Sequence, residues 1–108
     1  MSAPEIQYDG AQARITPTTD IVAASVPELR AALRELLGRQ VRELVIDLTR
    51  VQMVDSAGIG LLIAAHNSLS RVSGRLSVVN TSADLSELFR SVRLNQHFRI
   101  ETSEGVVS

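Results

Sequence analysis

Short apolar runs rich in β-branched residues alternate along this chain with longer segments of helical periodicity. The apolar runs are residues 5–8, 12–16, 44–48, 76–79 and 97–101. The helical patterns fill the intervals after the second, third and fourth runs. Strands that alternate with helices usually pair in parallel, so the sequence predicts an α/β fold with a mostly parallel sheet. Gly10 separates the first two runs as the turn of a hairpin, which adds an antiparallel N-terminal edge.

Local signals give the expected boundaries of these elements. Ser25 followed by Glu28 predicts a helix start with a capping box, in which the serine side chain caps the first turn. The run Leu44–Leu48 is almost continuously apolar, a pattern typical of a strand covered on both faces by helices. Residues 102–108 are mostly polar, and we expect them to form a loose tail.

Composition limits the possible functions. A chain of 108 residues is long enough for one core, so we predict a single domain, with its core at about 5–101. The net charge of −1 disfavours nucleic acid and anionic membranes as partners. All eleven basic residues are Arg, and Cys is absent, which excludes Schiff-base lysines, P-loop lysines, disulfides and thiolate metal sites. No apolar run approaches the roughly 20 residues of a membrane span. We therefore expect a soluble, cytoplasmic protein.

The segment from Asp47 to Gly60 carries the candidate chemistry. It runs from the end of a central strand, through a loop, to the start of a helix, where ligands of α/β proteins commonly bind. A helix start exposes N–H groups and the positive end of the dipole, and Ser56 places a hydroxyl there. Gly58 and Gly60 would leave the surrounding surface bare for a partner backbone. Taken alone, the same residues equally fit an ordinary N-cap and tight packing of glycines.

From Ala13 to about Ile100 the chain resembles the STAS domain, which anti-sigma factor antagonists share with the cytoplasmic tails of sulfate transporters. The resemblance rests on the strand Val45–Leu48 followed by the motif Val54-Asp55-Ser56-Ala57-Gly58-Ile59-Gly60, and on Leu94, Phe98 and Ile100 further on. It implies four or five strands with three or four helices.

The same resemblance implies a regulatory function. In antagonists of this family the serine after the motif aspartate is phosphorylated by the anti-sigma factor, which is itself a serine kinase, and here that serine is Ser56. A PP2C-type phosphatase would be the second partner, and the protein would be a monomer or weak dimer. The expected partner-binding residues are Asp47, Met53, Asp55, Ser56, Ala57, Gly58, Ile59 and Gly60, flanked by residues 19–22 and 80–82.

An adaptor and an enzyme are the two alternatives to this function. A STAS adaptor could instead regulate a transporter ATPase without any modification of Ser56. An enzyme is disfavoured because no acid–base set is assembled, and we expect no catalytic residue, cofactor or metal. Asp55 follows a strand as a receiver phosphoaspartate does, but the chain has no lysine to support that chemistry. His66 and His97 are isolated in the sequence, a pattern more typical of packing or surface residues than of metal ligands.

Overall fold

A computed structural model describes residues 3–107, which form six β-strands and three α-helices. In chain order they are β1 (Glu5–Asp9), β2 (Gln12–Thr16), α1 (Val26–Gly38), β3 (Glu43–Asp47), α2 (Ser56–Ser70), β4 (Arg75–Val79), α3 (Ala83–Ser91), β5 (Arg99–Thr102) and β6 (Gly105–Val106). A 3₁₀ turn, Leu94–Gln96, separates α3 from β5. The predicted alternation of strands and helices is confirmed.

The sheet follows the order of the sequence from β1 to β6. Strands β2 to β5 pair in parallel, whereas β1 and β6 pair antiparallel at the two edges. The predicted α/β class, with its mostly parallel sheet and antiparallel N-terminal edge, is confirmed. The sixth strand arises because residues 102–107 turn back along β5, with Val107 buried at 7% exposure, where a loose tail was expected.

All three helices cover one face of this sheet. Parallel strands joined through a helix cross over in the right-handed sense, so a sheet that advances in one direction places every helix on the same side. Inward-facing residues of the central strands, such as Leu44, Ile46 and Val78, are buried beneath the helices, while Val45 and Val79 on the other face are partly exposed. The expectation that β3 is covered on both faces was therefore wrong.

Helix α1 begins where the sequence predicts, although without the predicted capping box. Ser25 occupies the N-cap position, but its side chain makes no capping hydrogen bond. Its Oγ instead donates to the carbonyl of Asp20 at 2.6 Å and accepts from the N–H of Val22 at 3.1 Å. The serine thus closes the turn of residues 20–25 that precedes the helix.

None of the helices within residues 3–107 combines the length and the apolarity that a membrane crossing requires.

Candidate functional site at the start of helix α2

Asp55 begins helix α2 and fixes the loop around it. Its backbone is extended, one carboxylate oxygen accepts from the N–H of Gly58 at 2.9 Å, and the other accepts from the N–H of Ala23 at 2.9 Å. The hydrogen bond from the Gly58 N–H, followed in size of effect by the one from the Ala23 N–H, lowers the pKa of the Asp55 carboxyl. This side chain is therefore ionised at neutral pH. Asp55 therefore organises both the loop and the helix start by hydrogen bonding.

The carboxylate of Asp55 leaves fewer free N–H groups at this helix terminus than the sequence predicts. The N–H of Gly58 is taken by that carboxylate, and the N–H of Ile59 donates to the Asp55 carbonyl at 2.9 Å. The sequence predicted a helix start with its N–H groups open to an anion. An anion on Ser56 would instead share the terminus with an existing negative charge.

The turn formed by residues 20–25 packs directly on this loop. One carboxylate oxygen of Asp20 accepts from the N–H of Gln52 at 2.9 Å and from the N–H of Met53 at 3.2 Å. Ile21 and Val54 form an isolated parallel bridge, so the two segments run side by side. Residues 19–22, which the family resemblance adds to the partner face, thus lie against the loop, and Asp20 among them holds the loop in place through two backbone N–H groups.

Asp47 is a buried anchor behind the site. It is 8% exposed, and it accepts hydrogen bonds from Arg14 Nη2 at 2.6 Å, Asn80 Nδ2 at 3.0 Å and both the N–H and Oγ1 of Thr49, at 2.9 and 2.5 Å. Burial raises the pKa of its carboxyl, but the donors from Thr49, Asn80 and Arg14 together hold that pKa well below its ordinary value. Asp47 thus joins the middle of β2 to the segments that follow β3 and β4, and its side chain is buried.

Helix α2 presents two residues of the candidate site, Ser56 and Gly60, on one exposed side together with Ile63. Ser56, Gly60 and Ile63 follow the i, i+4, i+7 spacing of a helix face, and all three are exposed, Ile63 at 38%. We call these three residues the α2 face. Met53, in the preceding loop, is 59% exposed, whereas Ala57 and Ile59 are half-buried.

The two glycines of the motif have different functions. A Cβ on Gly58 would lie 2.3 Å from the Ile21 carbonyl oxygen and 2.7 Å from Val54 Cγ1, so this buried glycine allows the 20–25 turn to approach the helix. The expectation that Gly58 bares the partner surface was therefore wrong. A Cβ on Gly60 would meet nothing within 4 Å, and Gly60 does leave the α2 face without a side chain.

No three metal-ligating side chains converge anywhere in residues 3–107. The site consists of an exposed hydroxyl, a fixed carboxylate beside it and a bare helix surface. Such an arrangement can accept a group on Ser56 or receive a partner, while it lacks a base and a nucleophile held in contact.

Comparison with known proteins places this geometry in a family. The family model described as "Mlab, STAS domain" matches residues 5–102. Anti-sigma-B factor antagonists from Listeria monocytogenes and Listeria innocua are each 31% identical over 86 residues, which is 80% of this chain and 75% of theirs.

Solved structures share the fold at lower identity. An anti-sigma factor antagonist from Mycobacterium paratuberculosis is 20% identical with a TM-score of 0.82, covering 94% of this chain and 86% of its own. The Bacillus protein SpoIIAA in its phosphorylated form is 21% identical with a TM-score of 0.73, covering 94% of each chain. The residues matched by the family model and the identity to the Listeria proteins show that this chain belongs to the STAS domain family.

Proposed function

We propose that this chain is a cytoplasmic anti-sigma factor antagonist that binds an anti-sigma factor kinase and is released when Ser56 is phosphorylated. The observation that carries the proposal is the exposed Ser56 hydroxyl on the first residue of α2, beside the bare surface of Gly60. The name of the Listeria relatives supports the regulatory role. The existence of SpoIIAA in unphosphorylated and phosphorylated forms supports a switch on this fold.

The switch follows from charge at the α2 face. A kinase would transfer the terminal phosphoryl group of a nucleoside triphosphate to Ser56 Oγ, with loss of the hydroxyl proton and release of the diphosphate. The new group carries about −1.5 to −2 charges at neutral pH. It would stand next to the ionised Asp55 and would have to be desolvated when the partner docks. Coupling of this kind typically weakens binding by about 5- to 150-fold.

Substitution of Ser56 tests the switch. Ser56→Asp should keep the melting temperature of the wild type, because the side chain is exposed, but should bind the cognate kinase weakly. Ser56→Ala should bind normally and take up no phosphate. Ser70→Asp, an added charge at the exposed far end of the same helix, is the control and should bind as the wild type does. Phosphopeptide mapping and binding titration with the kinase give the two readouts, and undiminished phosphate incorporation into Ser56→Ala would contradict the proposal.

Gly60 tests where the partner docks. Gly60→Trp should block kinase binding while the domain stays folded, since its side chain would project into open space on the α2 face. Gly60→Ala is the matched control and should bind. Equal affinity of both variants in a titration would place the partner on another surface.

A second candidate is an adaptor that regulates a transporter ATPase independently of phosphorylation, because the matching family model is described only as a STAS domain and names no sigma-factor function. Capture with the wild-type chain, followed by mass spectrometry, separates the two functions. A serine kinase and phosphorylated Ser56 support the antagonist. Transporter subunits with unmodified Ser56 support the adaptor.

A further inference from the structure

A groove between helices α1 and α2 lies beside the α2 face. The two helices pack together and run in the same direction, because each connects one strand to the next parallel strand. The floor of the groove is apolar and includes the buried Leu33 and Leu61, and its volume is about 140 Å³. On the α2 side it is lined by the half-buried Ala64, which follows Gly60 by one turn. The groove therefore continues the α2 face toward α1.

Two arginines of α1 line the other side of this groove. Arg30 and Arg34 are four residues apart, so they lie on consecutive turns of the same side of the helix. Arg30 is half-buried and Arg34 is exposed. Like charges at this spacing repel each other and slightly destabilise a helix. The fold thus holds two positive charges side by side at the edge of an apolar groove.

Neither guanidinium group has a carboxylate partner within residues 3–107. The ion pairs and side-chain hydrogen bonds of arginine in that region all involve other arginines. Helix α2 supplies no partner, because Ser56–Ser70 contains no Asp, Glu, Lys or Arg. On α1, Glu35 pairs with Arg39, and Glu28 precedes Arg30 by two residues, a spacing at which side chains do not face each other. The groove therefore presents two unpaired positive charges beside an uncharged helix.

We propose that this groove receives an acidic segment of the anti-sigma factor kinase, whose carboxylates pair with Arg30 and Arg34. The inference rests on the proposed function, because it names the chemistry of the partner that docks on the α2 face. Guanidinium groups form charge-assisted, bidentate hydrogen bonds with carboxylates. The lack of charge along α2 is typical of the centre of a protein interface, with charged residues at its rim. One partner that covers Ser56 and Gly60 would reach the groove without a break.

Titration with the cognate kinase at low and at high salt tests the two arginines. Arg30→Gln/Arg34→Gln should bind about tenfold more weakly than the wild type at low salt, and the difference should shrink as salt screens the charges. Arg42→Gln/Arg75→Gln is the control and should bind as the wild type does. It removes the same charge from exposed positions where β3 and β4 begin, at the far end of the sheet from Ser56. Both double variants should keep the wild-type melting temperature, because none of the four side chains has an ion pair within residues 3–107.

A charge placed inside the groove tests the position of the contact. The carboxylate of Ala64→Glu would lie in the groove that Arg30 and Arg34 line, where it would compete with the acidic segment. Ala64→Gln adds nearly the same bulk without the charge and is the matched control. Ala64→Glu should therefore bind the kinase about tenfold more weakly than Ala64→Gln, with a melting temperature that is equal or higher.

The outcomes separate this inference from the antagonist function. Equal affinity of Arg30→Gln/Arg34→Gln and the wild type, at matched melting temperatures, would overturn the inference and leave the function standing. Equal affinity of Ala64→Glu and Ala64→Gln would do the same. A wild-type chain that does not bind the kinase at all would overturn both.

Discussion

Asp47 shows how a single residue holds the edge of the sheet on which the site is built. Its carboxylate receives donors from β2, from the loop after β3 and from the loop after β4, through Arg14, Thr49 and Asn80. Asn80 adopts a left-handed backbone conformation with φ of 57°, which places its amide within reach of Asp47. A buried carboxylate must find donors, and here the donors join the middle of β2 to the ends of β3 and β4.

Neutralising Asp47 should destabilise the domain and make its free energy of unfolding less dependent on pH in the acid range. Asp47→Asn replaces one acceptor oxygen with an NH2 group that faces other hydrogen-bond donors. We therefore expect the free energy of unfolding to fall by about 1–3 kcal/mol. The folded pKa of Asp47 lies below the unfolded value of about 3.9. Its contribution is therefore complete above the unfolded pKa and is lost as the pH falls toward the folded pKa. Urea unfolding between pH 7 and pH 2 should show a shallower acid decline for Asp47→Asn than for the wild type.

The control for Asp47 is an ion pair exposed to solvent. Glu35 and Arg39 approach to 3.1 Å on α1 with both side chains about 60% exposed. Glu35→Gln should change the free energy of unfolding by less than about 0.5 kcal/mol. An equal loss in the two variants would contradict the role assigned to Asp47.

The two motif glycines should respond oppositely to the same substitution. Gly58→Ala forces a methyl group against the Ile21 carbonyl, so we expect a loss of about 1–3 kcal/mol, as for overpacked sites. Gly60→Ala meets open space within a helix and should be neutral or stabilising by up to about 1 kcal/mol. Thermal unfolding of both variants checks this, and a stable Gly58→Ala protein would show that the 20–25 turn can move away.

At the scale of elements, the start of α2 depends on a segment distant in sequence. Asp55 caps the helix and at the same time accepts from Ala23, so the turn before α1 and the first turn of α2 are joined through one carboxylate. The α2 face is therefore presented by two elements held together, and a change in the 20–25 turn should affect it.

The C-terminal hairpin is a second element whose role emerges from packing. Val107 is 7% exposed and its N–H donates to the Ile100 carbonyl at 2.8 Å, whereas the adjacent Val106 is 52% exposed. Val107→Ala should lower the free energy of unfolding by about 1–2 kcal/mol through the loss of buried methyl groups. Val106→Ala should leave it nearly unchanged. Similar unfolding midpoints in a urea titration would mean that the hairpin is detached in solution.

For the whole molecule, the order of the sheet predicts a gradient of protection. Strand β3 lies between β2 and β4 and has parallel partners on both sides, while β6 is two residues long at the edge. Amides of β3 should therefore exchange with solvent most slowly, through global unfolding, and those of β6 should exchange quickly through local opening. Hydrogen exchange followed by NMR checks this, and slow exchange in β6 equal to that in β3 would contradict it.

Local sequence patterns are sufficient to predict the α/β class, the order of the elements and the position of Ser56 at a helix start. These features follow from local periodicity, from turn residues such as Gly10 and from a motif within one short segment. A resemblance to the family located the candidate phosphoacceptor in the same segment.

The side of each element that faces solvent, and the contacts between residues distant in sequence, became known from the folded structure. One face of the sheet is left open because all the crossovers run in the same direction. The apolar run Leu44–Leu48 does not by itself show which face that is. The burial of Gly58 depends on the carbonyl of Ile21, and the rings of His66 on α2 and His97 before β5 lie with their centroids 5.9 Å apart. Local patterns describe neighbours in the chain, whereas these contacts join segments that only folding brings together.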